Sequence, residues 1–338
     1  AAKLGLKTTA QHTHYPFIVV GGGPAGLTAA LYAAREAVEV LVIERAAFGG
    51  QAAATEKLDN MPGFPEGVAG IEFAERLRRQ AERFGVELLQ AQDVVKVTSH
   101  DNYHVVHTQA GDKYSCCALL IATGSRYRRL GAPGERDYIG AGVHFCATCD
   151  GPFYKGQHVA VIGGGNSATE ESLLLTKFAD KVTMLVRRDH FTASPVIQEK
   201  VLAHPQIQVR WNTEVTEFLG AGGKLNRLRV RDNRTGAEEE MPIDGVFVFI
   251  GLDPNTGFLE GSGVRTNEWG FIITGHDLVH DGERPPGFAA REPMLLETSV
   301  PGVFAAGDVR AGSTKQVASA AGEGATAALL VREYLKTV

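Results

Sequence analysis

Twice along this chain a short apolar run ends in a glycine-rich turn, passes into a helix pattern and returns through a second apolar run. The first copy reads Phe17–Val20 as strand, Gly21-Gly22-Gly23-Pro24-Ala25-Gly26 as turn, Leu27–Arg35 as helix and Glu39–Ile43 as strand, with Glu44 at its end. The second reads His158–Ile162, then Gly163-Gly164-Gly165-Asn166-Ser167-Ala168, then a helix through about Phe178, then Val182–Leu185. A crossover of this kind joins parallel strands, so the pattern predicts an α/β chain with two Rossmann-like units. In the GxGxxG spacing, Gly21 makes the turn, Gly23 lets the backbone approach a pyrophosphate, and Gly26 lets helix pack on strand. Glu44 stands about 20 residues on, where an acid accepts from ribose hydroxyls. Strand, turn, helix and acid together point to a bound dinucleotide.

In the second copy Ala168 takes the place of the third glycine after Gly163 and Gly165, an allowed variant of the fingerprint. Its second strand ends in Arg187 and Arg188 instead of an acid. Arginine there suits a 2′-phosphate and so NADP(H) over NAD(H); the other reading is a retained Rossmann half whose arginines are simply solvated. One unit with an acid and one with arginines suggest two different dinucleotides, and FAD with a nicotinamide is the usual pairing.

The 338 residues suit about two domains. A hydrophobic content of 44% beside 40 glycines indicates tight turns and close backbone approaches rather than disorder. The formal net charge of −5 argues against a nucleic-acid binder, which usually carries a basic face. No apolar stretch reaches the roughly 18 residues of a membrane span. The N-terminus has no signal-peptide core and reads as a ragged arm before the first strand. These features, with only four cysteines, predict a cytoplasmic protein without a disulfide framework.

Cys146-Ala147-Thr148-Cys149-Asp150 precedes the second Rossmann strand. A CxxC pair is a zinc half-site, a redox pair or two free thiols. Structural zinc asks for four ligands, typically as two such pairs. The remaining cysteines, Cys116 and Cys117, are adjacent and open a run (CCALLIATG) that reads as a buried strand. That leaves the redox pair favoured, since CxxC geometry lowers a thiol pKa. Asp150 is placed either to trade a proton with an exchanging thiol or to shape the Asp-Gly-Pro turn.

The segments GGGPAG, FGGQ (48–51), NMPGFP (60–65), IATGS (121–125), CATCDGPFYKG (146–156), GGGNSATEE (163–171), GLDPNT (251–256) and PGVFAAGDVR (301–310) follow in this order. Together they resemble the low-molecular-weight thioredoxin reductases, from about residue 15 to the end. The resemblance implies a discontinuous FAD domain, 1–127 with 256–338, and an inserted pyridine-nucleotide domain, 128–255, carrying the disulfide. FAD would lie along Gly21, Gly23, Pro24, Ala25 and Gly26 with its ribose on Glu44. Gly50, Gln51 and Asn60 would line the flavin side, with Thr123 and Gly124 of IATGS also at the cofactor. Asp308 would hold the ribityl chain, and Lys315, Gln316 and Val317 would run beside the flavin ring. NADPH would take Gly163, Gly165, Asn166, Ser167, Ala168, Arg187 and Arg188. Cys146 and Cys149 would form the redox disulfide, the second nearer the flavin, with Asp150 as the acid. The family is usually a homodimer, and one domain rotates against the other so that nicotinamide and disulfide alternate at the flavin.

Two departures stand out. Where the family reads HRRxxxR, this chain has Val186-Arg187-Arg188-Asp189-His190-Phe191-Thr192. Losing one charge-assisted contact costs about 1.5–3 kcal/mol, or roughly 10- to 150-fold in affinity. The altered motif weakens the NADPH site, but with Arg187 and Arg188 retained, NADPH-driven reduction of a thioredoxin-like protein is the leading expectation. A ferredoxin or unknown donor, or a low-turnover flavin redox sensor, are the alternatives. The second departure is a long insert, 274–297, between an expected strand Phe271–Ile273 and Thr298; loops of that length are usually functional or disordered. Among smaller features, Glu72–Phe84 reads as an amphipathic helix with a solvated charged face. Arg126, Arg128 and Arg129 read as solvated, Trp211 and Trp269 as packing residues, and the eleven histidines show no metal spacing.

Overall fold

The structure, a computed structural model, describes residues 7–55, 57–279 and 282–338. Residues 1–6 of the expected arm, and His280 and Asp281 of the insert, lie outside the described residues. The chain forms two compact units, one running through Arg126 and resuming as Asp253–Val338, the other Tyr127–Leu252.

The first unit contains β1 (His14–Val20), α1 (Pro24–Arg35), β2 (Val40–Glu44), α2 (Gly50–Ala54), α3 (Gly70–Arg83), β3 (Glu87–Gln90), β4 (Val94–Ser99), β5 (His104–Thr108) and β6 (Lys113–Ile121). Then β7 (Ser125–Tyr127) carries the chain across. The second unit contains β8 (Val143–His144), α4 (Ala147–Asp150), β9 (His158–Ile162), α5 (Asn166–Leu175), β10 (Lys181–Leu185), α6 (Pro195–Ala203), β11 (Ile207–Arg210), β12 (Thr213–Ala221), β13 (Lys224–Asp232), β14 (Glu238–Pro242) and β15 (Gly245–Val248). The chain returns through β16 (Leu252–Pro254), which pairs with β7, and ends with β17 (Val303–Ala305) and α7 (Val317–Leu335).

In the first unit the sheet order is β3-β2-β1-β6-β5-β4, with β17 added along the C-terminal half of β6. Strands β1, β2, β3, β6 and β17 are parallel, with Val19 opposite Val42 and Leu120. Strand β1 is buried on both faces, as central parallel strands are. Phe17 and Val19 pack with α1 and α7, while Tyr15, Ile18 and Val20 join the opposite cluster. In the second unit β11-β10-β9-β15-β8 form a parallel sheet, and β12-β13-β14 an antiparallel one.

Several expectations are corrected. Helix α1 starts at Pro24, three residues before the apolar periodicity begins, because proline is well suited to the first helical position, where its missing N–H costs nothing. Helix α5 ends at Leu175; the chain to Phe178 is a turn, closed by the Phe178 N–H donating to Leu175 O at 3.0 Å. Phe271–Ile273 is no strand: Ile272 makes single bridges to Thr266 and Arg310. Trp269 is 63% exposed and not a packing residue, whereas Trp211 meets Phe191 edge-on at 4.6 Å. Arg129 is not merely solvated; its guanidinium lies 4.1 Å over the Phe145 ring. Cys116 is buried as expected, but Cys117 is half-buried, with Sγ 3.9 Å from His14 Nε2. The described part of the arm is tied to β3: the Gln11 N–H donates to Glu87 Oε1 at 2.8 Å, and Lys7 pairs with Glu87 at 2.7 Å.

The insert is anchored. Phe288, Leu278 and Leu296 are buried. Glu297 is fully buried, and both its oxygens accept from Arg291 at 2.6 Å. Its oxygens also accept from the N–H groups of Met294 and Gly302, each at 2.9 Å. The Arg291 guanidinium in turn covers the Phe288 ring at 4.9 Å.

Candidate active site

The first glycine turn is shaped for close approach. Gly21 has φ of +107°, and a Cβ there would sit 2.4 Å from Ala122 O. A Cβ on Gly26 would meet Gly21 O at 1.9 Å, so this turn and α1 come together only around glycine. At Gly23 the same test meets nothing within 4 Å. Gly23 is also the N-cap of α1, with no side chain capping it, so the first-turn N–H groups face open space. Uncapped amides at a helix start favour an anion. Glu44 is held by the N–H groups of Gly22 at 2.7 Å and Ala46 at 2.8 Å.

Residues far apart in sequence converge nearby. Asn60 Nδ2 donates to Gln316 Oε1 at 2.9 Å, across 256 positions. Gln51 donates to the Ser125 carbonyl. Thr123 Oγ1 donates to Asn255 O, and Asn255 Nδ2 returns a bond to Thr123 O, each at 2.8 Å. Gly50 lies with φ of +56°, its Cβ position 3.4 Å from Gly23 Cα. Burial pushes the Asp308 carboxyl up from its ordinary value, and burial pushes Lys315 down. Lys315 holds left-handed backbone at φ +55°, directly before Gln316, the N-cap of α7, and Val317, its first residue. Its Nζ donates to Ser313 Oγ at 2.7 Å and lies 4.4 Å over the Phe271 ring.

In the second unit Gly163 has φ of +140°, and Ala168 is fully buried beneath it. Helix α5 likewise starts without a side-chain cap at Gly165. Asn166 Oδ1 accepts from the Ser194 N–H at 2.7 Å, while Ser167 is exposed. Arg187 and Arg188 are exposed at the end of β10, and neither forms an ion pair among the described residues. Val186 is buried, and the Thr192 hydroxyl donates to Gly164 O at 3.3 Å.

Cys146 and Cys149 form a disulfide, with Cα atoms 5.3 Å apart. Among the described residues no group of three or more His, Cys, Asp or Glu is arranged to hold a metal. Cys146 caps the short α4, and its Sγ accepts from the Cys149 N–H at 3.1 Å. Such a donor favours the thiolate once the bond opens. Asp150 ends α4, its N–H donating to Cys146 O at 3.1 Å. Behind it lies a residue the sequence reading passed over: His144 Nδ1 is 3.4 Å from Asp150 Oδ1, and its Nε2 is 2.6 Å from the Tyr154 hydroxyl. A histidine two positions before a CxxC-Asp was the available signal.

The profile of the pyridine nucleotide-disulphide oxidoreductases matches residues 15–324. The chain is 40% identical over 328 residues to thioredoxin reductase of Treponema pallidum, covering 97% of this chain and 99% of that one. It is 39% identical to thioredoxin reductase of Bacillus subtilis, covering 95% of each. The chain belongs to the thioredoxin reductase family. Its fold is that of thioredoxin reductase from Streptococcus pyogenes, with a TM-score of 0.85 and 36% identity over 96% of this chain and 99% of that one. Giardia duodenalis thioredoxin reductase gives the same TM-score at 32% identity, over 96% of this chain and 100% of that one.

As a thioredoxin reductase family member the chain is a disulfide oxidoreductase and a flavoprotein, and FAD is the family's flavin. The first unit fits that cofactor on its own geometry: open space at Gly23, uncapped α1 amides and a backbone-held Glu44 meet a pyrophosphate and a ribose. No helix among the described residues is long and apolar enough to cross a membrane.

Proposed function

We propose that this protein is an NADPH-dependent reductase of a thioredoxin-like protein, acting as a homodimer. FAD would link NADPH to the Cys146–Cys149 pair, and that pair would exchange with the partner's disulfide. The disulfide carries this reading, because it is the group that can exchange with another protein's disulfide. The partner and the homodimer are suggested by the relatives' names and by the family resemblance.

FAD, when bound, supplies a two-electron carrier between a nicotinamide and a disulfide. The α1 amides and Gly23 would receive its pyrophosphate, Glu44 its adenine-side ribose, and Asp308 its ribityl hydroxyls. Asn60 and Gln316, fixed on one another, with Gln51, Lys315 and Val317, would orient the ring. In the second unit α5 offers its uncapped amides to the NADPH pyrophosphate, and Arg187 and Arg188 offer their free guanidinium groups to the 2′-phosphate. The Cys149 N–H stabilises a thiolate on Cys146, and Asp150 exchanges the proton that the leaving sulfur needs.

One observation favours a second reading, in which a ferredoxin or another protein is the donor. Val186 is buried and Thr192 turns to Gly164 O, so neither brings positive charge to the arginine pair. Anaerobic titration of the yellow protein with NADPH and then NADH separates the two. Bleaching of the flavin by NADPH alone supports the first. No response to either, with normal reduction by dithionite, refutes it and directs the search to a protein donor. Cys146→Ser is expected to keep the bleaching and lose reduction of the partner's disulfide.

A further inference from the structure

We propose that His144 is a positioning residue for the disulfide chemistry, holding the Asp150 carboxyl at the end of a buried Tyr154–His144–Asp150 line. The inference rests on the reading of Cys146–Cys149 as the exchanging disulfide and adds a residue that this reading does not contain.

Three elements converge on the imidazole. Strand β8 carries it, and the parallel register of β8 on β15 sets it opposite Phe247, ring centroids 5.3 Å apart. Helix α4 brings Asp150 to Nδ1 at 3.4 Å, and the turn after it brings the Tyr154 hydroxyl to Nε2 at 2.6 Å. The imidazole is 8% exposed and Tyr154 5%, so both ring nitrogens meet protein partners instead of bulk water. Asp150 is the outlet, its side chain 29% exposed. The charged and titratable groups near this line include Asp150, Asp244 across Tyr154, and, on α5 packed against α4, Glu171, whose carboxyl accepts from the Ala147 N–H.

The chemistry of the three side chains fixes the direction of the bonds. Burial, reinforced by the charges of Asp150 and Asp244, pushes the Tyr154 phenol well above its ordinary range. The phenol therefore stays protonated and donates to Nε2. A neutral imidazole that accepts at one nitrogen carries its proton on the other, so Nδ1, 3.4 Å from Asp150 Oδ1, is the protonated nitrogen. The Tyr154 hydroxyl thus fixes the tautomer and orientation of the imidazole that lies against the Asp150 carboxyl.

In the step itself an incoming thiolate bonds to one cysteine sulfur and the Cys146–Cys149 bond breaks. Its electron pair goes to the departing sulfur, which takes a proton from Asp150. Asp150, whose side chain is 29% exposed, regains its proton from solvent while His144 holds the carboxyl in place. A second thiolate of the same reductant releases the other cysteine in the same way. The two protons taken up equal the two the dithiol released on ionising, so the sum is one disulfide reduced, one dithiol oxidised and no net change in protons.

The test uses the full-length, flavin-loaded protein. Reduction of Cys146–Cys149 by dithiothreitol is followed by quenched alkylation and mass spectrometry from pH 5.5 to 9. It involves neither NADPH nor a protein partner, so its outcome is independent of whether those assignments hold. The ratio of variant to wild-type rate cancels the reagent's own ionisation. His144→Gln is expected to slow the reaction at pH 7 about tenfold and to change the pH profile of that ratio. Asp150→Asn should cost at least as much, and the double variant no more than Asp150→Asn alone, because the residues act in series. Tyr154→Phe should displace the profile with flavin content unchanged. A flat ratio for His144→Gln across the pH range overturns the proposal, as do losses that multiply in the double variant. Where His144→Gln melts early or loses flavin, Tyr154→Phe decides by the same criterion, and a flat ratio in it equally overturns the proposal.

Discussion

Glu297 shows how much one buried charge can determine. Its carboxylate has no exposed surface and is satisfied by four donors, two of them from Arg291. Removing one partner of a buried pair leaves an uncompensated charge, at a cost of about 3–5 kcal/mol. Two backbone N–H groups remain on Glu297 in Arg291→Ala, which puts that variant near 3 kcal/mol, read as a lower urea midpoint. His104 titrates against the fold. It is buried with Nδ1 2.9 Å from Ser99 Oγ, and burial lowers its pKa from 6.5 to about 4. Below pH 6.5 the unfolded chain takes up a proton that the folded chain refuses until about pH 4. Stability therefore falls as pH drops through that window and levels off beneath it, by roughly 3 kcal/mol in all. The urea midpoint of His104→Gln is expected to fall less between pH 7 and pH 4.5 than that of the wild type.

At the level of elements, the glycine turns decide whether helix and strand can meet at all. Gly26→Ala would drive a methyl group into Gly21 O, which a Cβ would approach to 1.9 Å. Gly23→Ala meets nothing within 4 Å and would intrude only on the proposed pyrophosphate position. Gly26→Ala is expected to lower both the melting temperature and the flavin content, and Gly23→Ala the flavin content alone; absorbance at purification and a thermal melt check both. These elements were legible because their signals are local: a β-branched run, a glycine triplet and an acid or arginine at fixed distance. The start of α1 was misread by three residues, because Gly-Pro-Ala looks like turn chemistry until the strand before it is in place. What stayed hidden depends on register or on distance in the chain. His144 acquires partners only when β8 lies beside β15, and Asn60 finds Gln316 only through the fold. The anchoring of the insert by Arg291 and Glu297 has no periodicity to announce it. Trp269 was taken for a packing residue on side-chain type alone, and it stands in solvent.

At the scale of the whole molecule, dinucleotide turns of the same design sit in separate units, and the second unit is spliced into the first. Strands β7 and β16 make the two crossings and pair with one another. Neighbouring strands in a sheet run about 4.8 Å apart, so the chain departs and comes back at nearly the same point. A gap that narrow can be sewn shut. Joining Arg126 to Asp253 through one or two glycines should leave a free-standing yellow protein that binds flavin and reduces nothing. The excised stretch Tyr127–Leu252, with its own sheets and its own disulfide, would be a cassette to lodge in place of a tight turn between two adjacent antiparallel strands.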